Sequence, residues 1–324
     1  MFRAASTVMI VTLLAGLSAL AADENARAMR YVPGTADAAT AWQASVRKAL
    51  FERLHMTDLV AKKDAVPLDA VLVEAKAAQG YALQLVRFQS TSGRAIQAYV
   101  AVPQGVKGPM PAVVCIHGHG GTRFTAFDSE KADQYKRFGA ALAQHGFVAI
   151  ATDVGQHEVY EKGRTLMGER LWDLMRCVDY LEALPEVDAQ RMACAGLSLG
   201  GEMAMWLGAM DLRMAATVSA GFLTMMDQME ENHCMCWKFE GLRALVDFPD
   251  IYALTAPRAL QCQNGRKEPP TQFTVALAQE ALRQIQPIYE DLGVPERVVL
   301  HAHDGGHEID LDALLAFLTG HLKK

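Results

Sequence analysis

Runs of positive charge are missing from this chain. Its 324 residues include 31 lysines and arginines against 37 aspartates and glutamates, which gives a formal net charge of −6. The basic residues form no run longer than pairs such as Arg266 and Lys267. The sequence therefore lacks the electrostatic footprint of a protein that binds nucleic acid or an anionic membrane surface. We expect a small or neutral partner and no nucleic acid.

Apolar runs long enough to cross a bilayer are also missing, and the nearest approach to one lies at the amino terminus. Arg3 precedes an apolar stretch from Val8 to Leu20, and Ala19 and Ala21 have the A-x-A spacing of a cleavage site. This plan predicts a signal peptide over residues 1–22 and an exported protein, periplasmic or secreted. A membrane anchor is the alternative, but the stretch has about 13 residues and a span needs about 20. We expect no stable membrane span once the signal is removed.

Cysteine is scarce, with six residues in the chain. Four of them lie in apolar runs that predict buried strands or helices, where cysteine behaves as a small hydrophobe; these are Cys115, Cys177, Cys194 and Cys262. Cys234 and Cys236 lie beside His233 in the polar stretch NHCMCW. They can be free, bridged or metal-bound, but C-x-C is tighter than the usual zinc knuckle and no second pair follows. We therefore expect no metal.

The chain does contain a regular alternation of strand-like and helical patterns. Residues 36–54 have helical periodicity, and residues 68–103 shift to runs of alternating polar and apolar side chains. Within this region, YALQLVRFQSTSGRAIQAYVAVP predicts two antiparallel strands joined by a turn at Ser92 and Gly93. From Pro111 onward, short apolar runs alternate with helical stretches. These runs are PAVVCIHG, FVAIATD, RMACAGL, MAATVSA, RALQCQNG and RVVLHAH. Continuous apolar runs are typical of parallel strands buried on both faces, with helices as crossovers.

The predicted fold class is therefore α/β, with a mostly parallel central sheet, antiparallel N-terminal strands and helices on both faces. We assign the α/β domain to residues 68–324 and an N-terminal helical extension to residues 23–67. The least regular segments are 119–128, 154–168 and 221–252. They follow candidate strands at the end where α/β sheets place their ligand crevice, so we expect them to shape the pocket. Whether residues 221–252 form a lid is left open.

A serine between glycines marks one junction between strand and helix. In ACAGLSLGG, the residues Gly196, Ser198 and Gly200 form the pattern G-x-S-x-G. In an α/β sheet this turn is strained and small neighbours let the serine project above the sheet edge. The N–H groups of the following helix also favour an oxyanion there. An ordinary connection with small residues is the alternative, but the placement favours Ser198 as a nucleophile.

A serine nucleophile needs a histidine base, and the base needs an acceptor that fixes its tautomer. His307 follows the last apolar run and precedes an amphipathic helix, in the chain order serine, acid, histidine of these hydrolases. Glu268 is the first carboxylate after the penultimate strand, and we predict it as the acid. A solvated loop charge is the alternative interpretation of Glu268, and Asp304 is the reserve candidate.

Two loops are expected to supply the oxyanion hole. The stretch HGHGG after the first buried strand exposes backbone N–H groups, and we expect that of His119, or else that of Gly120, to combine with the N–H of Leu199. A phosphate-binding glycine loop is the alternative, but no P-loop lysine and serine follow. His117 and His119 lack a nearby third metal ligand in the sequence, a situation in which such histidines more often orient loops.

Together these residues resemble the α/β-hydrolase superfamily, and within it the dienelactone-hydrolase-like and acetyl xylan esterase-like branch of exported bacterial enzymes. The resemblance covers about residues 70–322 and includes HGHGG, the block from Met167 to Gly201, NHCMCW, FPDIYALTAPRAL and DGGHE. It places the nucleophile, acid and base on Ser198, Glu268 and His307. Relatives commonly have aspartate at the acid position, as in NGxxDP, where this chain has NGRKEPP. Glutamate serves the same role on this fold.

The resemblance also implies a carboxylic ester substrate, often an acyl or methyl ester on a plant cell-wall sugar, and no cofactor. We accordingly expect an exported serine hydrolase that forms an acyl-enzyme on Ser198. Arg123 and Trp237 are candidates for substrate binding.

Three other functions are weighed against this one. A serine peptidase of the prolyl-oligopeptidase type shares the triad, but the roughly 90 residues before the core are too few and not repetitive enough for its propeller. A hydrolase-like binding protein would usually lack the nucleophile or the base. A metal-dependent hydrolase using His117, His119 and the His233 cluster would lose activity on chelation.

Overall fold

A computed structural model describes residues 27–128 and 131–323. The predicted signal peptide lies outside these residues. The strands are β1 (Val71–Ala78), β2 (Tyr81–Thr91), β3 (Arg94–Pro103), β4 (Met110–Ile116), β5 (Val148–Thr152), β6 (Val187–Leu197), β7 (Met214–Ala220), β8 (Ala259–Gly265) and β9 (Val298–His303). The helices are α1 (Ala36–Arg53), α2 (Thr57–Ala61), α3 (Ala132–Tyr135), α4 (Phe138–Gln144), α5 (Leu166–Glu182), α6 (Leu199–Met210), α7 (Met226–Met229), α8 (Leu242–Leu245), α9 (Phe248–Ala253), α10 (Val275–Asp291) and α11 (Leu311–Leu322). Single 3-10 turns occupy Lys63–Ala65, Met235–Trp237 and Pro295–Arg297.

The strands form one sheet in the order β1-β2-β3-β5-β4-β6-β7-β8-β9. The pairs β1–β2, β2–β3 and β3–β5 are antiparallel, and every pair from β5 to β9 is parallel. The six apolar runs correspond to β4 through β9, so the predicted mostly parallel sheet with antiparallel N-terminal strands is confirmed. The hairpin is also confirmed, since Thr91 pairs with Arg94 across Ser92 and Gly93.

The edge strand β1 is an addition to the two strands predicted for residues 68–103. It pairs with β2 alone, and seven of its eight residues are exposed. Val71, Leu72 and Val73 all face solvent at about half or more of their surface. A strand without a buried face does not require a strict alternation of apolar and polar side chains, so the pattern in residues 68–80 did not mark β1 as a third strand.

Helices cover both faces of the sheet, as the sequence predicts. One core lies between the sheet and α1, α5, α6, α9 and α10, and the other lies between the sheet and α4 and α11. Strand β4 shows why its apolar run is continuous: Val114 and Ile116 face the first core, and Val113 and Cys115 face the second. The four cysteines predicted to be buried are all fully buried and free.

Helix α1, within the predicted N-terminal extension, packs directly on the α/β core. Its residues Val46 and Leu50 are fully buried among core side chains. The side-chain amide of Gln43 donates to the carbonyls of Ala253 (3.1 Å) and Ala256 (2.7 Å). These contacts join the extension to the segment around α9. Among the described helices, none is both long and apolar enough to cross a membrane.

Candidate active site

Ser198 lies on a sharp turn between β6 and α6. Its backbone has φ 63° and ψ −124°, a conformation that residues with a Cβ rarely adopt. A Cβ on Gly196 would lie 2.3 Å from the carbonyl oxygen of Gly200, and one on Gly200 would lie 2.1 Å from that of Ile116. Both glycines are therefore required by the close approach of β4, β6 and α6, which holds the half-buried serine at the carboxyl ends of the strands.

Glu268 and His307 form a hydrogen-bonded pair on loops after β8 and β9. The two atoms Nδ1 of His307 and Oε1 of Glu268 are 2.7 Å apart, and the glutamate side chain is 1% exposed. The imidazole stacks on the ring of Phe273 with centroids 5.6 Å apart. By contrast, the Asp304 side chain is 95% exposed and pairs with Arg266 at 3.2 Å. The histidine thus has Glu268 as its carboxylate partner.

The pair and the serine, which follow different strands, both approach the carboxyl end of β7. A Cβ on Gly221, the residue after β7, would lie 2.8 Å from Cε1 of His307 and 3.2 Å from the side chain of Leu197. The backbone N–H of Ser198 donates to the carbonyl of Ala220 at 2.9 Å. The tertiary structure therefore brings the three residues of the predicted triad to one place on the sheet edge.

The loop after β4 passes beside the nucleophile. A Cβ on Gly118 would lie 3.1 Å from the Cβ of Ser198, and the N–H of Gly118 donates to the hydroxyl of Tyr135 at 2.8 Å. No acceptor within the described residues takes the backbone N–H of His119 or Gly120. On the other side, α6 begins at Leu199, and the first N–H groups of a helix have no intrahelical acceptor. Donors are thus available at the two predicted positions.

His117 fixes the relative position of two of these loops. Its Nδ1 lies 2.8 Å from the carbonyl oxygen of Gly118, and its Nε2 accepts from the N–H of Val154 at 3.1 Å. Because Nε2 is the acceptor, the proton is on Nδ1. Burial lowers the pKa of this imidazole, which keeps it neutral. His117 therefore orients the loops after β4 and β5.

Two cavities adjoin the loop of residues 118–121. A cavity of about 220 Å³ contains Ser198 and has an apolar wall formed by Phe222, Met229 and Phe273. A larger one, of about 710 Å³, carries several charged and polar side chains in its wall. These side chains are Arg87, Arg94, Gln97, Arg123, Asp153 and Tyr160.

The two predicted substrate-binding residues have different positions. Arg123 lines the larger cavity, where its guanidinium pairs with Asp153 and donates to Gln97 at 2.8 Å. Trp237 is 1% exposed and packs edge-to-face on Phe248, with ring centroids 5.3 Å apart. The expectation for Trp237 is therefore corrected: its side chain, at the end of the 3-10 turn Met235–Trp237, belongs to the core.

Glu202 is a residue of the site that sequence reasoning missed. It lies in the first turn of α6, lines the cavity that contains Ser198 and is 2% exposed. Burial raises the pKa of its carboxyl to about 8, and the cation of Arg170 offsets only part of that effect. The only sequence cue is the position of Glu202 four residues after the serine.

A second group that sequence reasoning missed combines two histidines with the cysteine pair. Nε2 of His119 lies 3.3 Å from Sγ of Cys236, and Nε2 of His157 lies 3.3 Å from Sγ of Cys234. Burial raises the pKa of the Cys236 thiol to about 11. His157 comes from the irregular segment 154–168, and nothing in its local sequence connects it with the cysteines.

Comparison with known proteins agrees with this fold. The sequence model of the dienelactone hydrolase family matches residues 96–233. The sequence model of a family described as Abhydrolase family matches residues 23–163. A protein described as an acetyl xylan esterase from Bacteroides fragilis superposes with a TM-score of 0.72 at 18% identity, over 86% of this chain and 79% of that chain. This chain has the α/β-hydrolase fold.

Two further proteins resemble this chain less closely in length or in sequence. YtaP of Bacillus subtilis (strain 168), described as a hydrolase, is 27% identical over 183 residues, which are 50% of this chain and 61% of that protein. The chain thus spans less than two thirds of the length of this curated protein. A glucuronoyl esterase from Solibacter usitatus has a TM-score of 0.64 at 15% identity, over 79% of this chain and 86% of that chain.

Proposed function

We propose that this α/β-hydrolase is an exported serine esterase that cleaves a carboxylic ester through an acyl-enzyme on Ser198. The observation that carries the proposal is the strained backbone of Ser198 at the same strand end as the 2.7 Å pair between Glu268 and His307. Such strain persists only where the surrounding structure enforces it, and it clusters at reactive residues. The proposed reaction needs no cofactor.

The first half of the reaction forms the acyl-enzyme. The hydroxyl oxygen of Ser198 attacks the ester carbonyl carbon and its proton passes to Nε2 of His307, while Glu268 accepts from Nδ1–H and stabilises the imidazolium. The N–H groups of Leu199 and of His119, or Gly120, donate to the developing oxyanion. The tetrahedral intermediate then collapses, and the departing alkoxide takes the proton from His307 and leaves as the alcohol.

The second half hydrolyses the acyl-enzyme. Water attacks the acyl carbon as His307 removes one of its protons, and the second tetrahedral intermediate expels the Ser198 oxygen. The serine recovers its proton from the imidazolium. The products are a carboxylic acid and the free enzyme, so each turnover consumes one ester and one water.

The two cavities support a small ester on a polar molecule such as a carbohydrate. A volume of about 220 Å³ around Ser198 is smaller than the 300–1,000 Å³ of ordinary ligand sites, which suits a short acyl or methyl group. The adjoining cavity of about 710 Å³ offers arginine, glutamine and tyrosine side chains to hydroxyl groups. The acetyl xylan and glucuronoyl esterases among the structural neighbours support the same choice.

The nucleophile is tested with 4-nitrophenyl acetate and a fluorophosphonate probe. Ser198→Ala is expected to abolish turnover and labelling while its circular dichroism spectrum matches wild type. The control is Ser45→Ala, because Ser45 is an exposed serine on α1, and it should keep both activities. Turnover retained by Ser198→Ala would contradict the assignment.

The substrate class is tested by product release. Acetylated xylan, methyl glucuronate esters and prolyl peptides are incubated with the purified protein, and acetate, methanol and amine are measured. Release of acetate or methanol that Ser198→Ala lacks supports a carbohydrate esterase. Cleavage of the peptides alone would replace it with the peptidase alternative.

A further inference from the structure

Four side chains with metal-binding atoms converge at the mouth of the site. His119 follows β4, His157 follows β5, and Cys234 and Cys236 lie between α7 and α8. One nitrogen or sulfur atom from each of the four lies within 4.8 Å of the others. The proposed ester hydrolysis uses none of these imidazoles or thiols, so this cluster lacks an explanation in the catalytic mechanism.

The distances are those of a tetrahedral site with little adjustment. With Zn–N near 2.0–2.1 Å and Zn–S near 2.3 Å, neighbouring ligand atoms in a tetrahedron are separated by about 3.3–3.8 Å. Two of the nitrogen–sulfur separations in the cluster are 3.3 Å. Contraction of the remaining ones from at most 4.8 Å requires movements of about an ångström or less in surface loops.

The donor set selects the class of metal. Thiolate and imidazole are the ligands preferred by Zn²⁺ and by copper, whereas Mg²⁺ and Ca²⁺ prefer oxygen. Two thiolates and two neutral imidazoles around Zn²⁺ form a complex with no net charge. That neutrality suits the neighbouring guanidinium, since Nη1 of the buried Arg170 lies 3.4 Å from Sγ of Cys236 and can donate to a coordinated thiolate. His119, His157 and Cys234 are exposed, so an ion can enter.

We propose that His119, His157, Cys234 and Cys236 form a structural site for one thiophilic metal ion, for which Zn²⁺ is the best match. Four protein ligands leave no open position for a metal-bound water, which is the property of structural sites. The ion would tie together the loops after β4 and β5 and the segment that contains Cys234. Because His119 and Cys234 also line the cavity of Ser198, this arrangement would fix the loops that surround the nucleophile.

The proposal is tested by metal binding on the untagged, reduced full chain, independently of esterase activity. Metal-free protein is titrated with Co²⁺, and a tetrahedral site with two thiolates gives a thiolate-to-cobalt charge-transfer band and intense visible bands. We expect one equivalent per chain, displacement of Co²⁺ by Zn²⁺, and a higher melting temperature with Zn²⁺. Ser198→Ala should give the same titration, which separates this proposal from the proposed function.

Ligand variants identify the site. Cys234→Ser combined with Cys236→Ser should abolish the charge-transfer band, and His157→Ala should weaken binding of Co²⁺ at least tenfold. The matched control is His233→Ala, a histidine adjacent to Cys234 that bonds Gln228 at 2.7 Å and lies outside the cluster; its titration should match wild type. The proposal would be overturned if the charge-transfer band is absent or is unchanged in the double cysteine variant. It would also be overturned if Cys234 and Cys236 form a disulfide and the protein binds no Co²⁺ after that disulfide is reduced.

Discussion

At the scale of single residues, the carboxylate partner of His307 differs from the residue that is common in the family this chain resembles. That partner is the glutamate Glu268 instead of an aspartate. Glutamate has one more methylene than the aspartate common in relatives, yet Oε1 of Glu268 reaches Nδ1 of His307 at 2.7 Å from a buried position. A backbone hydrogen bond joins the loops that carry the two residues, since the N–H of Lys267 donates to the carbonyl of Gly305 at 3.0 Å.

Replacement of this acid tests its proposed role. Glu268→Gln keeps the size of the side chain but presents an amide that can favour the wrong imidazole tautomer, and kcat for 4-nitrophenyl acetate should fall by about 10³–10⁴-fold. Asp304→Asn is the control, since that residue is 95% exposed, and its rate should stay within about twofold of wild type. A near-normal rate in Glu268→Gln, or a collapse in Asp304→Asn, would move the role to another carboxylate.

The buried carboxyl of Glu202 predicts a pH dependence of stability. Its pKa is about 8 in the folded protein, above the ordinary value of 4.5. As pH rises from 4.5 to 8, the unfolded chain loses this proton and the folded protein keeps it, so the free energy of unfolding falls over that window. Glu202→Gln does not titrate, and its melting temperature relative to wild type should therefore increase from pH 5 to pH 9.

The same measurement of melting temperature on a variant of an exposed glutamate serves as the control for Glu202→Gln. Glu52 lies on the exposed side of α1, and Glu52→Gln should show the same difference from wild type at both pH values. If the Glu202→Gln difference is equally independent of pH, the carboxyl is not kept protonated by burial.

At the scale of elements, the junction of β6 and α6 depends on how closely three backbones approach. Gly200→Ala would place a Cβ 2.1 Å from the carbonyl oxygen of Ile116 in β4. Backbone of a central strand cannot retreat as a flexible side chain can, so the free energy of unfolding should fall by about 1–3 kcal/mol or more. Denaturant unfolding measures this change, and unaltered stability would mean that the junction is looser than the structure shows.

A glycine in α11 provides the control for the same substitution. A Cβ on Gly320 would meet no atom within 4 Å. Since glycine within a helix costs about 0.5–1 kcal/mol relative to alanine, Gly320→Ala should stabilise the protein slightly. Opposite changes in the free energy of unfolding of the two glycine variants would distinguish the effect of close packing from the effect of backbone entropy.

At the scale of the whole molecule, α1 and the α/β domain share one core. Leu50 is fully buried, and Leu50→Ala should lower the free energy of unfolding by about 2–5 kcal/mol. Because the helix packs on the core, esterase activity and tryptophan fluorescence should be lost together in a single transition at a lower temperature. Lys48→Ala, on the exposed side of α1, should leave that transition in place. Two separate transitions in wild type would show instead that the extension is an independent unit.

The sequence anticipates features that are written in local patterns. Periodicity predicts strands β4 to β9, the hairpin between β2 and β3, and helix α1. It does so because burial on one or two faces of an element dictates the spacing of its apolar residues. The flanking glycines identify Ser198 as a candidate nucleophile. Glu268 and His307 are identified by their positions after the predicted strands. Strand β1 was not separated, since an exposed edge strand leaves no such pattern.

Sequence alone determined the alternation of strands and helices, the α/β class and the candidates Ser198, Glu268 and His307. Tertiary structure alone decided that Trp237 lies in the core, that Glu202 is buried beside the serine and that His157 meets Cys234. The physical reason is that periodicity records which face of a segment is buried, whereas the distance between side chains on different loops depends on how the whole sheet is assembled. The local sequence around residues that are far apart in the chain does not indicate that their side chains are in contact.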